Sequence, residues 1–307
     1  MVRKISIVGA GAVGSHVAFG CLSRFNLDEL VLVDVVEPLA KGIALDLEDT
    51  RRFFGFSTDV LGTSRPRHIK NSDIVVITAG QTRKEGMSRY DLLKSNVKVA
   101  REISTHIKKF APESVVIAVT NPVDFITYVV QKEAGFERKK VMGMGSSLDA
   151  ARFANFIYKT TGVNPFDIYP MVIGLHSKDM IPLSSHSTVK QIPLERFLSR
   201  EKMDALEERV KLRGKEIVEC LKRGSAFFAP ALACFALLDA VVNNRHELIS
   251  VSALLKGEYG LRNVCAGVPC VVGRKGIVKI VEIPLAKEKK KEFLKVKDFF
   301  KECMTSL

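Results

Sequence analysis

The stretch Val172-Ile173-Gly174-Leu175-His176-Ser177-Lys178-Asp179 places a histidine just past an apolar, strand-like run that ends in glycine. Histidine is the side chain whose ordinary pKa lets it take and give a proton near neutrality. A lone histidine at a strand end is also an ordinary polar exit from a sheet, so its meaning depends on partners. Three other stretches could supply them. Asp149 and Arg152 stand three residues apart on a predicted helix and therefore share a face, although an intrahelical ion pair is the simpler account. The segment from Gln81 to Arg89 sets three cations, Arg83, Lys84 and Arg89, around Gly86, as an anion-gripping loop or a merely solvated one would. Thr120-Asn121-Pro122-Val123-Asp124 follows a buried strand, where Asn121 could meet a ligand or only turn the chain.

The elements that must position these residues alternate. Lys4–Val8 reads as a strand, Gly9-Ala10-Gly11-Ala12-Val13-Gly14 as a turn, and the residues through Arg24 as a helix. The next strand, Leu30–Val33, ends on Asp34. Glycines in this spacing, after a strand and before a helix, suit a dinucleotide: Gly9 for the tight turn, Gly11 for approach to a pyrophosphate, Gly14 for close helix–strand packing. The pyrophosphate would lie at the helix N-terminus. Asp34 can accept hydrogen bonds from ribose hydroxyls and would repel a 2′-phosphate, which favours NAD over NADP. Buried strands follow at 73–80 and 114–120, separated by a helix over 91–109. Apolar strands alternating with helices predict a parallel sheet covered on both faces, with ligands at the strands' carboxyl ends. Near residue 145 the pattern changes. A helix over 148–160 precedes strands near 168–173 and 184–190. A long helical stretch over 200–243 is interrupted near Gly224 and Pro230, and strands follow near 249–255, 267–272 and 278–283. The expected fold is α/β: an N-terminal Rossmann doubly wound parallel sheet over 1–145, then a mixed α+β catalytic domain over 146–307.

Composition narrows the classes. The 307 residues, 47% apolar and 26% charged, are those of an ordinary globular protein. The N-terminus enters a strand at once, without a leader pattern. Ser225–Val242 is nearly apolar, but Pro230 and Asp239 make a buried helix the better reading than a membrane span. The six cysteines show no metal-type spacing, so free thiols in a reducing cytoplasm are expected and no metal is. The formal charge is +13, part of it in Lys287–Lys301, where Phe293, Val296, Phe299 and Phe300 recur at helical spacing. That is the pattern of an amphipathic helix with a solvated face. A basic balance also draws small anions.

Taken in order, RKEGMSR (83–89), TNPVD (120–124), SLDAARF (147–153) and GLHSKD (174–179) resemble the lactate/malate dehydrogenase family. The likeness runs from the glycine loop to GEYGLRNVCAGVPCVVG at 257–273. It implies reversible hydride transfer between a 2-hydroxy acid and NAD. By this resemblance His176 is the general acid/base, Asp149 holds its ring, and Arg152 grips the C1 carboxylate. Arg89 polarises the C2 carbonyl, and Asn121 bonds the substrate near the nicotinamide. Gly9, Ala10, Gly11, Ala12, Val13, Gly14, Asp34, Asn96, Val119 and Asn121 hold the cofactor. Arg83 would select the substrate. At its position the family's lactate enzymes typically carry glutamine and its malate enzymes arginine, because oxaloacetate brings a second carboxylate that would be costly to bury unpaired. Ala226, in RGSAFFAPA (223–231), stands where many lactate enzymes have threonine. The chain departs from the family at Leu175, where an acid is common, at Ser177-Lys178 in place of Gly-Asp, and at Glu85 in place of proline.

The resemblance further implies a small dicarboxylate substrate, a homo-oligomer (tetramer or dimer), a cytoplasmic location, and no nucleic-acid or membrane partner. An L-lactate or broad 2-hydroxy acid dehydrogenase, or one that accepts NADP, is the neighbouring alternative. A non-catalytic nucleotide- or nucleic-acid-binding protein on the same fold is the alternative of a different class.

Overall fold

In the computed structural model of this chain, residues 2–81, 89–222 and 224–307 are described, apart from the side chains of Arg89 and Tyr90. The first elements are β1 (Lys4–Val8), α1 (Ala12–Arg24), β2 (Glu29–Val33), α2 (Glu37–Asp49), α3 (Arg51–Phe54) and β3 (Asp59–Thr63). Then come β4 (Ile74–Ile77), α4 (Arg89–Phe110), β5 (Val115–Ala118), α5 (Val123–Ala134) and β6 (Val141–Gly143). Their strands lie in the order β3-β2-β1-β4-β5-β6, every pair parallel. Sequence explains the choice: β4 and β5 are apolar and buried at every residue, which only a sheet covered on both faces can use. The chain winds outward from β1 to β3 and then returns to β4 beside β1. That reversal is the switch point at which such sheets bind ligands, past the strands' carboxyl ends.

The second half begins with α6 (Gly145–Thr161), β7 (Ile168–Tyr169), β8 (Val172–Gly174), β9 (Met180–Pro182), β10 (Thr188–Val189) and β11 (Ile192–Pro193). It ends with α7 (Arg200–Leu221), α8 (Phe228–Val242), β12 (Glu247–Lys256), β13 (Arg262–Gly273), β14 (Gly276–Ile280), α9 (Lys287–Leu294) and α10 (Val296–Thr305). β12 meets β6 through one antiparallel pair, Ser252 to Gly143. β13 joins β12 to β8 and β14, so among the described residues eleven strands make one sheet. The large core follows this sheet. A second core of Phe153, Phe156, Ile168, Leu194 and Val210 ties α6 to α7 and to the small sheet of β7, β10 and β11.

The architecture is the α/β fold the residue pattern predicts, with local differences that have physical causes. The strand expected over 168–173 is two strands, since Pro170 between them cannot donate to a ladder. The strand expected over 184–190 shrinks to Thr188–Val189. Ser187 turns its hydroxyl back onto the Leu183 carbonyl at 2.8 Å, and a short 3₁₀ turn occupies Ser184–His186. Pro230 does not interrupt the helix, because α8 starts at Phe228 and the proline sits in the first turn, where no N–H is needed. No helix among the described residues is long and apolar enough to cross a membrane. α9 and α10 bury Phe293, Val296, Phe299 and Phe300, and Lys289 pairs with Glu207 at 2.7 Å.

Candidate active site

The glycine loop joins β1 to α1 at the switch point. Gly9 has φ +111°, and a Cβ there would stand 2.5 Å from the Ala79 nitrogen, so only glycine fits. A Cβ on Gly14 would meet the Gly9 carbonyl oxygen, whereas Gly11 has open space beside it. The loop is fixed from both sides: the Gly9 N–H donates to the Val33 carbonyl at 2.7 Å, and the Thr78 hydroxyl donates to the Gly9 carbonyl at 2.8 Å. α1 starts after Gly11 with no side-chain cap, leaving its end as an anion site. Asp34 closes the far side, its two carboxylate oxygens accepting from the Ala10 and Val36 N–H groups at 2.8 and 2.9 Å. A cleft of about 420 Å³ is lined by Gly9, Gly11, Asp34, Thr78, Gly80 and Gln81. A dinucleotide fits this donor set: space at Gly11, a helix terminus for phosphate, and a fixed carboxylate with lone pairs left for hydroxyls.

β5 ends at the same rim. Val119 is buried, its N–H donating to the Ile77 carbonyl at 2.9 Å, and Asn121 is exposed just beyond it, joined to Pro122 by a cis peptide bond. Asn96, read from the sequence as a cofactor contact, is buried with its amide engaged by main chain. Its oxygen accepts from the Gln81 N–H at 2.7 Å, and its nitrogen donates to the carbonyls of Gln81 and Asn121 at 3.2 and 2.7 Å. It therefore laces the loops after β4 and β5 together.

Past β6, α6 carries Asp149 and Arg152 on one face, and the end of β8 delivers His176 against it. The approach is close: a Cβ on Gly145, the first residue of α6, would lie 2.8 Å from the His176 Cβ. His176 Nδ1 lies 2.7 Å from an Asp149 oxygen, with Asp149 wholly buried. The carboxylate can only accept, so Nδ1 carries the hydrogen and Nε2 is left for a ligand. Arg152 Nη1 donates to the other Asp149 oxygen at 3.4 Å. Burial works against the imidazolium, but the charge and hydrogen bond of Asp149 outweigh it. The His176 pKa is raised above 6.5, with Arg152 opposing and Asp124 assisting. Burial lowers the pKa of Arg152, against the attraction of Asp149. Its Nε is buried with no hydrogen-bond partner.

Arg83 lies outside the described residues, as does the side chain of Arg89, whose backbone opens α4. Leu175, one of the departures, is buried in the main core, while Lys178 lines a groove against α10 with Asp298 and Glu302. Two residues to which the sequence assigned no task stand at the site. Gly145 gives His176 its place, and Asp124 accepts the His176 main-chain N–H at 2.7 Å. The quoted TNPVD motif contains Asp124, but nothing in its spacing shows that it is buried.

Residues 3–143 match the lactate/malate dehydrogenase NAD-binding domain, and residues 146–306 match the family's alpha/beta C-terminal domain. The chain is 44% identical over 284 residues to a malate dehydrogenase of Methanosarcina barkeri, covering 92% of each. It is 39% identical over 307 residues to a malate dehydrogenase of Bacillus israeli, covering 99% and 98%. Among solved structures it is similar to the malate dehydrogenase of Picrophilus torridus in its apo form, with TM-score 0.93, 36% identity and 99% and 96% coverage. It is likewise similar to a lactate dehydrogenase of Eimeria maxima with NADH and oxamate, with TM-score 0.95, 34% identity and 100% and 94% coverage.

Proposed function

The chain belongs to the lactate/malate dehydrogenase family, and we propose that it interconverts (S)-malate and oxaloacetate by reversible hydride transfer with NAD. The observation that carries this reading is the buried Asp149–His176 pair at 2.7 Å, with Arg152 on the next turn, just past Gly174 of β8, which shares a register row across the sheet with Val8 before the glycine loop. The loop over 9–14 and Asp34, with Val119 and Asn121 along the rim, would hold the cofactor, which when bound would supply or accept the hydride at substrate C2. The remaining steps belong to side chains. In reduction His176 gives its Nε2 proton to the C2 oxygen, and in oxidation it takes that proton back. Asp149 fixes the ring's tautomer and stabilises the imidazolium. Arg152 takes the C1 carboxylate with a two-pronged hydrogen bond that lysine could not copy. Asn121 holds the substrate, and Arg89 faces the C2 oxygen as charge develops there.

Malate rather than lactate is supported by the arginine at position 83, which can neutralise a second carboxylate, and by relatives named as malate dehydrogenases. The division into a cofactor half over 1–145 and a substrate half over 146–307 belongs to this reading. So does assembly with further copies of the chain into a dimer or tetramer. Phe19, Leu39, Leu45, Phe228 and Leu232 of α1, α2 and α8 are exposed, an apolar area suited to a self-complementary contact. A cytoplasmic location is favoured by six free cysteines, five of them buried. Steady-state rates with oxaloacetate and pyruvate, each with NADH and NADPH, test the proposal. The highest kcat/KM is expected for oxaloacetate with NADH, and a higher value for pyruvate would defeat the assignment of Arg83.

A further inference from the structure

Two helices pack beside the Arg152 guanidinium. On α6, Phe156 follows Arg152 by one turn and is buried. On α7, Gly214 lies against the guanidinium itself: a Cβ there would stand 3.6 Å from Nη1 and 3.9 Å from Nη2. The residue before it, Arg213, lies over the Phe156 ring, its guanidinium carbon 4.4 Å from the centroid. The electron-rich face of the ring favours a cation in that place. Arg209, one turn earlier on α7, approaches the same ring at 4.9 Å.

Charge balance gives Arg213 a task. Asp149 is wholly buried 3.4 Å from Arg152, so this pair is close to neutral before any substrate arrives. A carboxylate bound by Arg152 therefore brings an added negative charge into a poorly hydrated place, where it is costly without further positive charge. Arg213 supplies such charge. Its own partner, Glu216 at 2.9 Å, has a side chain 41% exposed against 23% for Arg213, so water screens the acid more than the arginine. Arg152 senses this neighbour: burial lowers its pKa, Asp149 opposes that, and Arg213 adds to the lowering. We propose that Arg213 is a specificity-determining residue for anionic substrates, a second guanidinium beside Arg152 that raises the positive potential where the C1 carboxylate binds. The inference rests on the reading of Arg152 as that carboxylate's partner.

The test is the affinity of the NADH-loaded protein for tartronate, a 2-hydroxy dicarboxylate that NADH cannot reduce, measured by calorimetry. Arg213→Gln is expected to weaken it about threefold or more in about 20 mM salt, and the loss should fade in about 0.5 M salt, where charges are screened within a few ångströms. Arg213→Lys should restore most of the affinity, since the charge and not the fork is at work. The opposite charge change separates field from packing. Glu216→Gln removes the partner acid and should tighten tartronate about twofold, whereas a purely structural role predicts weaker binding in both variants. A folded Arg213→Gln whose affinity stays within about 1.5-fold of the parent, or falls equally at both salt concentrations, overturns the inference. Should Arg213→Gln fail to fold, Glu216→Gln decides, and unchanged or weaker binding there overturns it. Turnover of oxaloacetate is followed separately. A parent that binds tartronate but leaves oxaloacetate untouched refutes the proposed reaction with Arg213 still decided, and a parent that binds no tartronate overturns the inference.

Discussion

Gly145→Ala isolates how tightly the site is built. The added Cβ would stand 2.8 Å from the His176 Cβ and 2.9 Å from Val123 Cγ1. Carbon atoms rest at about 3.5–4.0 Å, so the histidine or the helix must retreat by about 0.7–1.2 Å. The 2.7 Å bond from His176 Nδ1 to Asp149 has slack of only about 0.5 Å before its geometry fails. A misplacement of this size costs about 10²-fold in rate, which is about 2.7 kcal/mol of barrier. The loss should appear in kcat for oxaloacetate at saturating NADH, with a smaller change in KM, because Arg152 lies two turns along α6 from the substitution. Overpacking should also lower stability by about 1–3 kcal/mol, read by thermal melting. A folded variant with kcat within about threefold of the parent would refute the reasoning, because it would show that His176 can move without loss.

The remaining predictions concern charge. The His176 pKa is raised chiefly by Asp149 against the effect of burial. In reduction the ring must carry its proton, so kcat/KM for oxaloacetate should hold at lower pH and fall through a limb lying above 6.5. Malate oxidation needs the neutral ring and should rise through the same limb, and Asp149→Asn should move both limbs to lower pH. Asp34→Ser removes a carboxylate that would repel a 2′-phosphate and bond ribose hydroxyls; the NADPH-to-NADH ratio of kcat/KM should rise by about tenfold or more. Arg152→Lys keeps the charge but loses the fork, and KM for oxaloacetate should rise by about tenfold or more in steady-state assays.

How much of this could be read beforehand depended on range. The parallel sheet was legible because β4 and β5 are apolar without a break, and the cofactor loop because its glycines sit between a strand and a helix. β6, three residues long, has too little pattern to announce itself, yet it delivers Gly145 to the site. Asp149 and Arg152 share a face by spacing alone, but their meeting with His176, twenty-seven residues beyond Asp149, is tertiary. Leu175 looked like a lost acid, and its burial in the core shows what replaced it: packing. Asp124 had no task legible in its motif, since only the folded chain shows its burial and its bond to His176. The bonds that Asn96 makes could not be read beforehand, because the main-chain groups it laces together come from two separate loops.

The claim on which the account turns is that His176 moves the proton. Oxaloacetate-dependent NADH oxidation by His176→Asn tests it most directly, with NADH affinity followed in parallel by the nucleotide's own fluorescence. The account predicts that kcat falls by about 10²–10⁴-fold while NADH affinity is unchanged. A variant that binds NADH normally and turns over oxaloacetate at the parent rate would contradict it.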